Sequence, residues 1–449
     1  METHDLSYFR RGVIGLSAGF EGPYGWKKIL YADWTASGRG YAPIERRLQE
    51  EILPFYGNTH TESTVTGRRM SEAYAAAKET IKKHVNAQTN DVLLFCGSGM
   101  TAAVNKLQRI LGMRRQTDPN IPDHERPLVL VTHMEHHSNY ISWLETNATV
   151  EIINPDENGN VDLDHLGLLL KRYTTRKTII AAVTACSNVT GIETPIREIA
   201  ALIHAHGGYC FVDYACSAPY VKIDMQASGL DAIYFSFHKF LGGPGTPGVL
   251  IFNQRLYKWT APDQPGGGTI VYSNPWKEYD YLSSIEERED GGTPPILQAI
   301  KAAMCIALKE EMGIDRMLSR EREIVARMLD RLSGIEGLQV LAPNQRERLG
   351  IISFVVTAVR YDRFVGMLND RFGIQARGGC SCAGPYGHYL LGIDPTRSHA
   401  IRNELKAGDG SAKPGWVRLS IHPIMTDAEI ECILDAVQVT ARQYQGMIF

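Results

Sequence analysis

The stretch Phe235-Ser236-Phe237-His238-Lys239 ends an apolar run on a lysine and passes into the glycine-rich turn Gly242-Gly243-Pro244-Gly245. A lysine amine is nucleophilic only while neutral. A partly buried site beside other cationic groups lowers its pKa and frees the lone pair to form an imine. An acid stands upstream in Phe211-Val212-Asp213-Tyr214-Ala215, at the carboxyl end of another expected strand. The interval from Asp213 to Lys239 has room for one helix and a returning strand. Both residues then fall at one edge of a parallel sheet, where open α/β folds bind ligands. An aspartate there can keep a pyridine nitrogen protonated, which makes the ring an electron sink. The same residue could instead serve only as a helix cap.

Other segments carry complementary chemistry. Gly97-Ser98-Gly99-Met100-Thr101 lies between an expected strand and helix, where free backbone N–H groups and the helix dipole form an anion site. His136, in Thr132-His133-Met134-Glu135-His136-His137-Ser138-Asn139, is either a ring available for acid–base work or a helix-capping histidine. Ser187-Asn188-Val189-Thr190-Gly191 has the composition of a turn. Arg418, in Gly415-Trp416-Val417-Arg418-Leu419-Ser420, offers a planar guanidinium that fits a carboxylate two-pronged. Arg377-Gly378-Gly379-Cys380-Ser381-Cys382-Ala383 is a glycine-rich loop with two thiols. With only His388 nearby, Cys380 and Cys382 lack a zinc-ligand set, and no metal is expected.

The elements that must position these residues follow from periodicity. Short apolar strands are expected at 91–96, 127–132, 150–153, 178–183, 209–212, 232–235 and 248–252. Helices alternate with them at 71–84, 138–145, 164–173 and 196–206. That alternation predicts a mostly parallel sheet covered on both faces. From Gly313 onward the pattern changes: a charged helix at 315–332, strands at 338–341, 350–356 and 417–420, and helices at 362–372 and from Asp427. This reads as a smaller α/β domain of helices on an antiparallel sheet. The boundaries expected are 1–30 for an N-terminal segment packing with the small domain, 31–312 for the large domain and 313–449 for the small one. Segments 114–126 and 396–414 read as polar surface loops.

Net charge is −3 over 449 residues, so no bulk attraction to nucleic acid or anionic membrane follows, and a substrate must be held by local charges. There is no signal-peptide pattern and no apolar run near 18 residues. Eight cysteines at this length are not a disulfide scaffold, which points to a cytoplasmic protein with reduced thiols.

Taken in order, these motifs resemble the class V aminotransferase family of fold-type I pyridoxal-phosphate enzymes, closest to the cysteine desulfurase and selenocysteine lyase group. The resemblance runs from Tyr31 to the final helix and is more specific for the cofactor than for the substrate. It implies pyridoxal 5′-phosphate carried on Lys239 as a Schiff base, with Asp213 at the ring nitrogen. His136 would stack on the ring and shuttle protons, and Asn188 would touch the phenolic oxygen. Gly99, Met100, Thr101, Ser236 and His238 would hold the phosphate, and Thr293, in Gly291-Gly292-Thr293-Pro294, would reach the phosphate of the partner in a homodimer. Arg418 would grip the substrate's α-carboxylate, Arg377 would be the loop arginine, and Cys382 would be the nucleophile that takes up sulfur as a persulfide. The implied substrate is L-cysteine or a cysteine-like amino acid, with a possible sulfur-acceptor protein. A C–S lyase, epimerase or aminotransferase without a persulfide stays open, as does a catalytically idle partner-binding relative. Three features depart from the desulfurase pattern: Cys216 replaces the usual glutamine after Asp213, Cys380 adds a thiol, and 397–414 looks like an insertion able to lid the site or alter docking.

Overall fold

The computed structural model describes residues 5–59, 61, 63–114 and 121–446. Seven apolar segments form one sheet: β1 (Asp91–Cys96), β2 (Leu128–Thr132), β3 (Thr149–Ile153), β4 (Ile179–Thr184), β5 (Tyr209–Asp213), β6 (Ala232–Ser236) and β7 (Gly248–Asn253). Most of their residues are buried on both faces, so they read as unbroken hydrophobic runs. The order across the sheet is β1-β7-β6-β5-β4-β2-β3. β7 alone runs antiparallel to its neighbours. Helices Met100–Ile110, His137–Leu144, Leu163–Arg172 and Ile196–Ala205 fill the crossovers, as the alternating pattern predicts.

The crossover from β5 to β6 is a correction. It contains no regular helix but a series of turns between Tyr214 and Asp231. The helix Ile296–Met312, which packs on the helix Val65–His84, meets these turns. Its Lys309 is buried, and the ammonium donates to the carbonyls of Ala218 and Val221 at 2.7 and 2.6 Å. Those carbonyls therefore find partners without an intrahelical ladder.

The second sheet is antiparallel, in the order β8 (Leu338–Val340), β9 (Ile351–Val356), β11 (Trp416–Ser420) and β10 (Arg377–Gly379). Helices Ile314–Ser333, Tyr361–Phe372 and Asp427–Gln445 cover it. Leu30–Tyr31 pairs in parallel with Ile374–Gln375, and Ser420 donates its N–H to Ala32. The chain after Tyr31 is thereby held against the second sheet before it crosses to the first. There Gly38 donates to the His238 carbonyl, and a Cβ on Gly38 would collide with the Phe240 carbonyl oxygen at 1.8 Å, so only glycine fits this crossing.

The expected loop at 396–414 is also corrected. Pro395–Lys406 is a helix, started by Pro395 in its first turn and by the Asp394 carboxylate accepting the Arg397 N–H at 2.9 Å. It buries only Ile401, and so weak an apolar stripe hid it from periodicity. Of the other expected loop, 114–126, residues 115–120 lie outside the described residues. Among the described residues no helix is long and apolar enough to cross a membrane.

Candidate active site

The carboxyl ends of β4, β5 and β6 open on a cavity of about 250 Å³. Lys239 and Asp213 line it together with Gly99, Met100, Thr101, His136, Asn188, Ser236, His238, Arg377, Cys382 and Arg418. Of the expected site residues, only Thr293 is absent from this wall. It is exposed, with its hydroxyl 3.4 Å from Asn58 Nδ2.

Asp213 ends β5 and is 2% exposed. Its one side-chain hydrogen bond is accepted from the Ala215 N–H at 2.8 Å. Burial pushes its pKa up to about 6, against the lowering pull of that N–H and of Lys239. Lys239 lies one strand over, in the short turn Phe237–Lys239 after β6. Burial is the chief cause that pushes its pKa down, and Cys216 and Asp213 oppose it. The amine makes no hydrogen bond to any described residue and faces the cavity.

His136 combines both readings of its motif. Its Nδ1 accepts the Ser138 N–H at 3.1 Å and caps the helix His137–Leu144 while the ring lines the cavity. Burial first, then Lys239, His137 and Arg418, press its pKa down to about 3. While Nδ1 accepts that N–H, the neutral ring offers a flat face and an Nε2–H donor toward the cavity. Glu135 beneath it accepts from the Thr132 and Thr184 N–H groups, the Thr132 hydroxyl and Asn139 Nδ2, which fixes the strand ends.

The anion end is built at the start of the helix Met100–Ile110. The Met100 N–H donates to Ser236 Oγ at 2.8 Å, and Thr101 Oγ1 lies 2.7 Å from Ser138 Oγ. A Cβ on Gly99 would stand 3.0 Å from Ser236 Oγ and 3.7 Å from the His238 ring, so the glycine keeps this corner open. His238 is held to a pKa of about 4 by burial and by Lys239.

The opposite wall carries the arginines. Arg418 on β11 is 3% exposed and donates to Asp33 Oδ1 at 2.7 Å and to the Asn188 carbonyl at 2.9 Å. Its buried Nε has no partner. Arg377 pairs with Asp33 Oδ2 through Nε at 3.0 Å and through its terminal nitrogen at 2.9 Å. Sequence reasoning missed Asp33, the carboxylate that holds both guanidinium groups. Its signal was an isolated acid in the otherwise uncharged Tyr31-Ala32-Asp33-Trp34-Thr35-Ala36.

The thiols separate clearly. Cys382 is exposed and lines the cavity, whereas Cys380 is partly buried against the main core and does not. Ser381 and Cys382 both have left-handed backbones, at φ 50° and 56°, and Asn188 Nδ2 donates to the Ser381 carbonyl at 2.7 Å. The Asn188 Oδ1 is buried and unpaired. Cys216, in the position where the desulfurase pattern has glutamine, is buried at the cavity wall with its thiol 2.8 Å from the Cys186 carbonyl.

A mostly parallel seven-stranded sheet, a free lysine one strand away from a buried aspartate, and a small antiparallel sheet closing the pocket define the fold-type I pyridoxal-phosphate-dependent transferases. Comparison with known proteins narrows this. The model of the aminotransferase class-V family matches residues 30–433, and the chain belongs to that family. A probable cysteine desulfurase of Halalkalibacterium halodurans is 30% identical over 370 residues, covering 81% of this chain and 86% of the relative. One from Staphylococcus aureus is 30% identical over 369 residues, covering 81% and 85%. Among solved structures, the apo cysteine desulfurase of Thermococcus onnurineus superposes with a TM-score of 0.76 at 24% identity, covering 92% of this chain and 95% of that one. A cysteine desulfurase of Escherichia coli gives 0.77 at 22% identity, covering 98% and 99%. At these identities the structures bear on the fold alone.

Proposed function

We propose that this protein is a pyridoxal-phosphate-dependent cysteine desulfurase that moves sulfur from L-cysteine, or a cysteine-like amino acid, onto Cys382. The observation that carries the reading is that Cys382 shares one cavity with Lys239, Asp213 and Arg418, while Cys380 packs against the core and does not line it. The names of the two bacterial relatives support the same substrate class.

The residues present fit the cofactor. Asp213 is a buried carboxylate lacking a strong partner, and it would hold a protonated ring nitrogen. Lys239 has a free amine and would hold the cofactor covalently through Nζ. The neutral His136 ring supplies a stacking face, and Asn188 has spare side-chain hydrogen-bonding capacity. Ser236, His238, Thr101 and the backbone of Gly99 and Met100 form the anion cradle. When bound, the cofactor supplies an electron sink for the pair released at the substrate's Cα.

The remaining work falls to the chain. Arg418 receives the α-carboxylate with Arg377 beside it, and Asp33 keeps both guanidinium groups aimed beforehand. The Lys239 amine would take the Cα proton and return it when alanine is formed. The Cys382 thiolate then attacks the substrate sulfur. An S–S bond forms, the substrate C–S bond breaks, and its electron pair stays on carbon, which is protonated to alanine.

In the same reading the chain acts as a cytoplasmic homodimer, hands sulfur to an acceptor protein, and divides near residue 312 into a cofactor-holding and a substrate-closing unit. The exposed position of Thr293, outside its own cavity, supports its service to a partner's site.

The test is incubation with L-cysteine. Alanine should appear, and mass spectrometry should find one added sulfur on the peptide carrying Cys382. Cys382→Ala should keep bound cofactor and lose most alanine formation, and Cys380→Ala should lose far less. Normal turnover of Cys382→Ala with pyruvate as product would replace the desulfurase by a C–S lyase using Lys239, Asp213 and Arg418 in the same roles.

A further inference from the structure

The turn that presents Cys382 is short of internal support. The Ala383 N–H closes it onto the Cys380 carbonyl at 3.0 Å, across two consecutive left-handed non-glycine residues. Such a backbone persists only where its surroundings enforce it. The enforcement comes from the first sheet's side of the cavity, and most of it passes through one residue the mechanism has not used. The His137 N–H donates to the Cys382 carbonyl at 2.7 Å, and His137 Nε2 accepts the Gly384 N–H at 2.8 Å. One histidine thus grips the chain on both sides of Ala383, and Asn188 adds a third tether at Ser381.

We propose that His137 is a positioning residue that docks the Cys382 turn and so keeps the sulfur-accepting thiol at the cavity wall. The inference deepens the desulfurase reading and rests on it for the role of Cys382. The ring can accept only while neutral, because an imidazolium has no lone pair left for the Gly384 amide. Burial first, and Lys413 second, hold His137 below the ordinary histidine range, which keeps that acceptor available at neutral pH. Contact on the glycine side is close: a Cβ on Gly384 would stand 2.9 Å from His137 Nε2. Any side chain there would push the ring away from the amide it accepts. Gly384 does not have a left-handed backbone, so alanine would meet this steric conflict without backbone strain.

Hydrogen–deuterium exchange of the cofactor-loaded enzyme reads the docking directly on the peptide spanning residues 380–390. His137→Phe keeps the ring bulk and the backbone donor but removes the acceptor. Exchange in that peptide should rise about three- to tenfold, the scale of one lost hydrogen bond, with the rest of the chain unchanged. His137→Gln, whose amide oxygen can stand in for Nε2, should recover most of the protection. Gly384→Ala approaches the same contact from the other partner and should loosen the same peptide, which keeps the test decisive if His137→Phe fails to fold. In the loosened variants persulfide formation on Cys382 should fall by a comparable factor, while the cofactor's absorption spectrum stays that of the wild type. Wild-type exchange rates in the foldable variants would overturn the proposal, as would equal loosening in His137→Gln and His137→Phe. A wild-type enzyme that never carries sulfur on Cys382 would instead remove the desulfurase reading and leave the docking result standing.

Discussion

The two walls of the cavity are built differently. The wall made by β4, β5 and β6 places Asp213, Ser236 and Lys239 at or just beyond the ends of buried parallel strands, where backbone ladders and core packing fix each Cα. The wall made by the second sheet holds Arg418 on a buried strand but places Arg377 and Cys382 on partly exposed chain, aimed by cross-links: Asp33 for the arginines, His137 and Asn188 for the turn that follows β10. In the proposed reading the site holds a cofactor, admits a substrate and passes sulfur outward, which calls for a rigid side and an adjustable one. Elements that move are drawn from regions with few buried contacts, and the difference between the walls follows that rule.

The largest effect is expected on the rigid side. Lys239→Ala should lower turnover by roughly 10²–10⁴-fold or more, because both the covalent tether and the Cα base are lost. Borohydride reduction of the wild type should fix the cofactor's mass on the peptide containing Lys239. Label on any other lysine would remove the site assignment altogether.

Across the cavity, at the buried Arg418, the expected effect is smaller and confined to substrate. Arg418→Lys keeps the charge but loses the fork that meets both Asp33 and a carboxylate. Its loss should be about 1.5–3 kcal/mol, read as a raised KM with cofactor affinity nearly unchanged. An unchanged KM for every amino acid tested would take Arg418 out of the substrate site.

The smallest effect concerns stability and has the opposite sign from most active-site changes. Asp213 has a pKa raised to about 6 in the fold, so the folded chain without cofactor binds more protons than the unfolded chain between the two pKa values. Its contribution to stability is therefore lost as pH rises from about 4 through 6 and stays lost above. Asp213→Asn should make the cofactor-free protein more stable at pH 7 by roughly 1–3 kcal/mol, and the gain should vanish below pH 4. Thermal melts of the two apo proteins at pH 4 and pH 7 check this. A variant less stable than wild type at pH 7 would mean that the buried carboxylate is already satisfied by the protein.

Much of the fold is written in local pattern. Apolar runs of five or six residues alternating with helical patterns are legible because burial on both faces leaves no choice of residue type, and that located all seven strands of the first sheet. Asp213, Lys239 and Cys382 were legible as candidates as well, because each is a reactive type beside a strand end or in a glycine-rich turn, and Arg418 was legible as a lone arginine within an apolar strand. What the tertiary structure alone decided depends on partners distant in the chain. Asp33 reaches Arg418 only because Tyr31 pairs beside the second sheet before the chain crosses to the first. The interval between β5 and β6 has room for a helix but folds as turns, two of whose carbonyls accept from Lys309 of a later helix. The His136 ring is pressed toward its neutral form because burial, Lys239 and Arg418 converge on it. Local pattern records what each segment must bury, whereas the charge a side chain carries and the partner it finds are set by residues that only folding brings near.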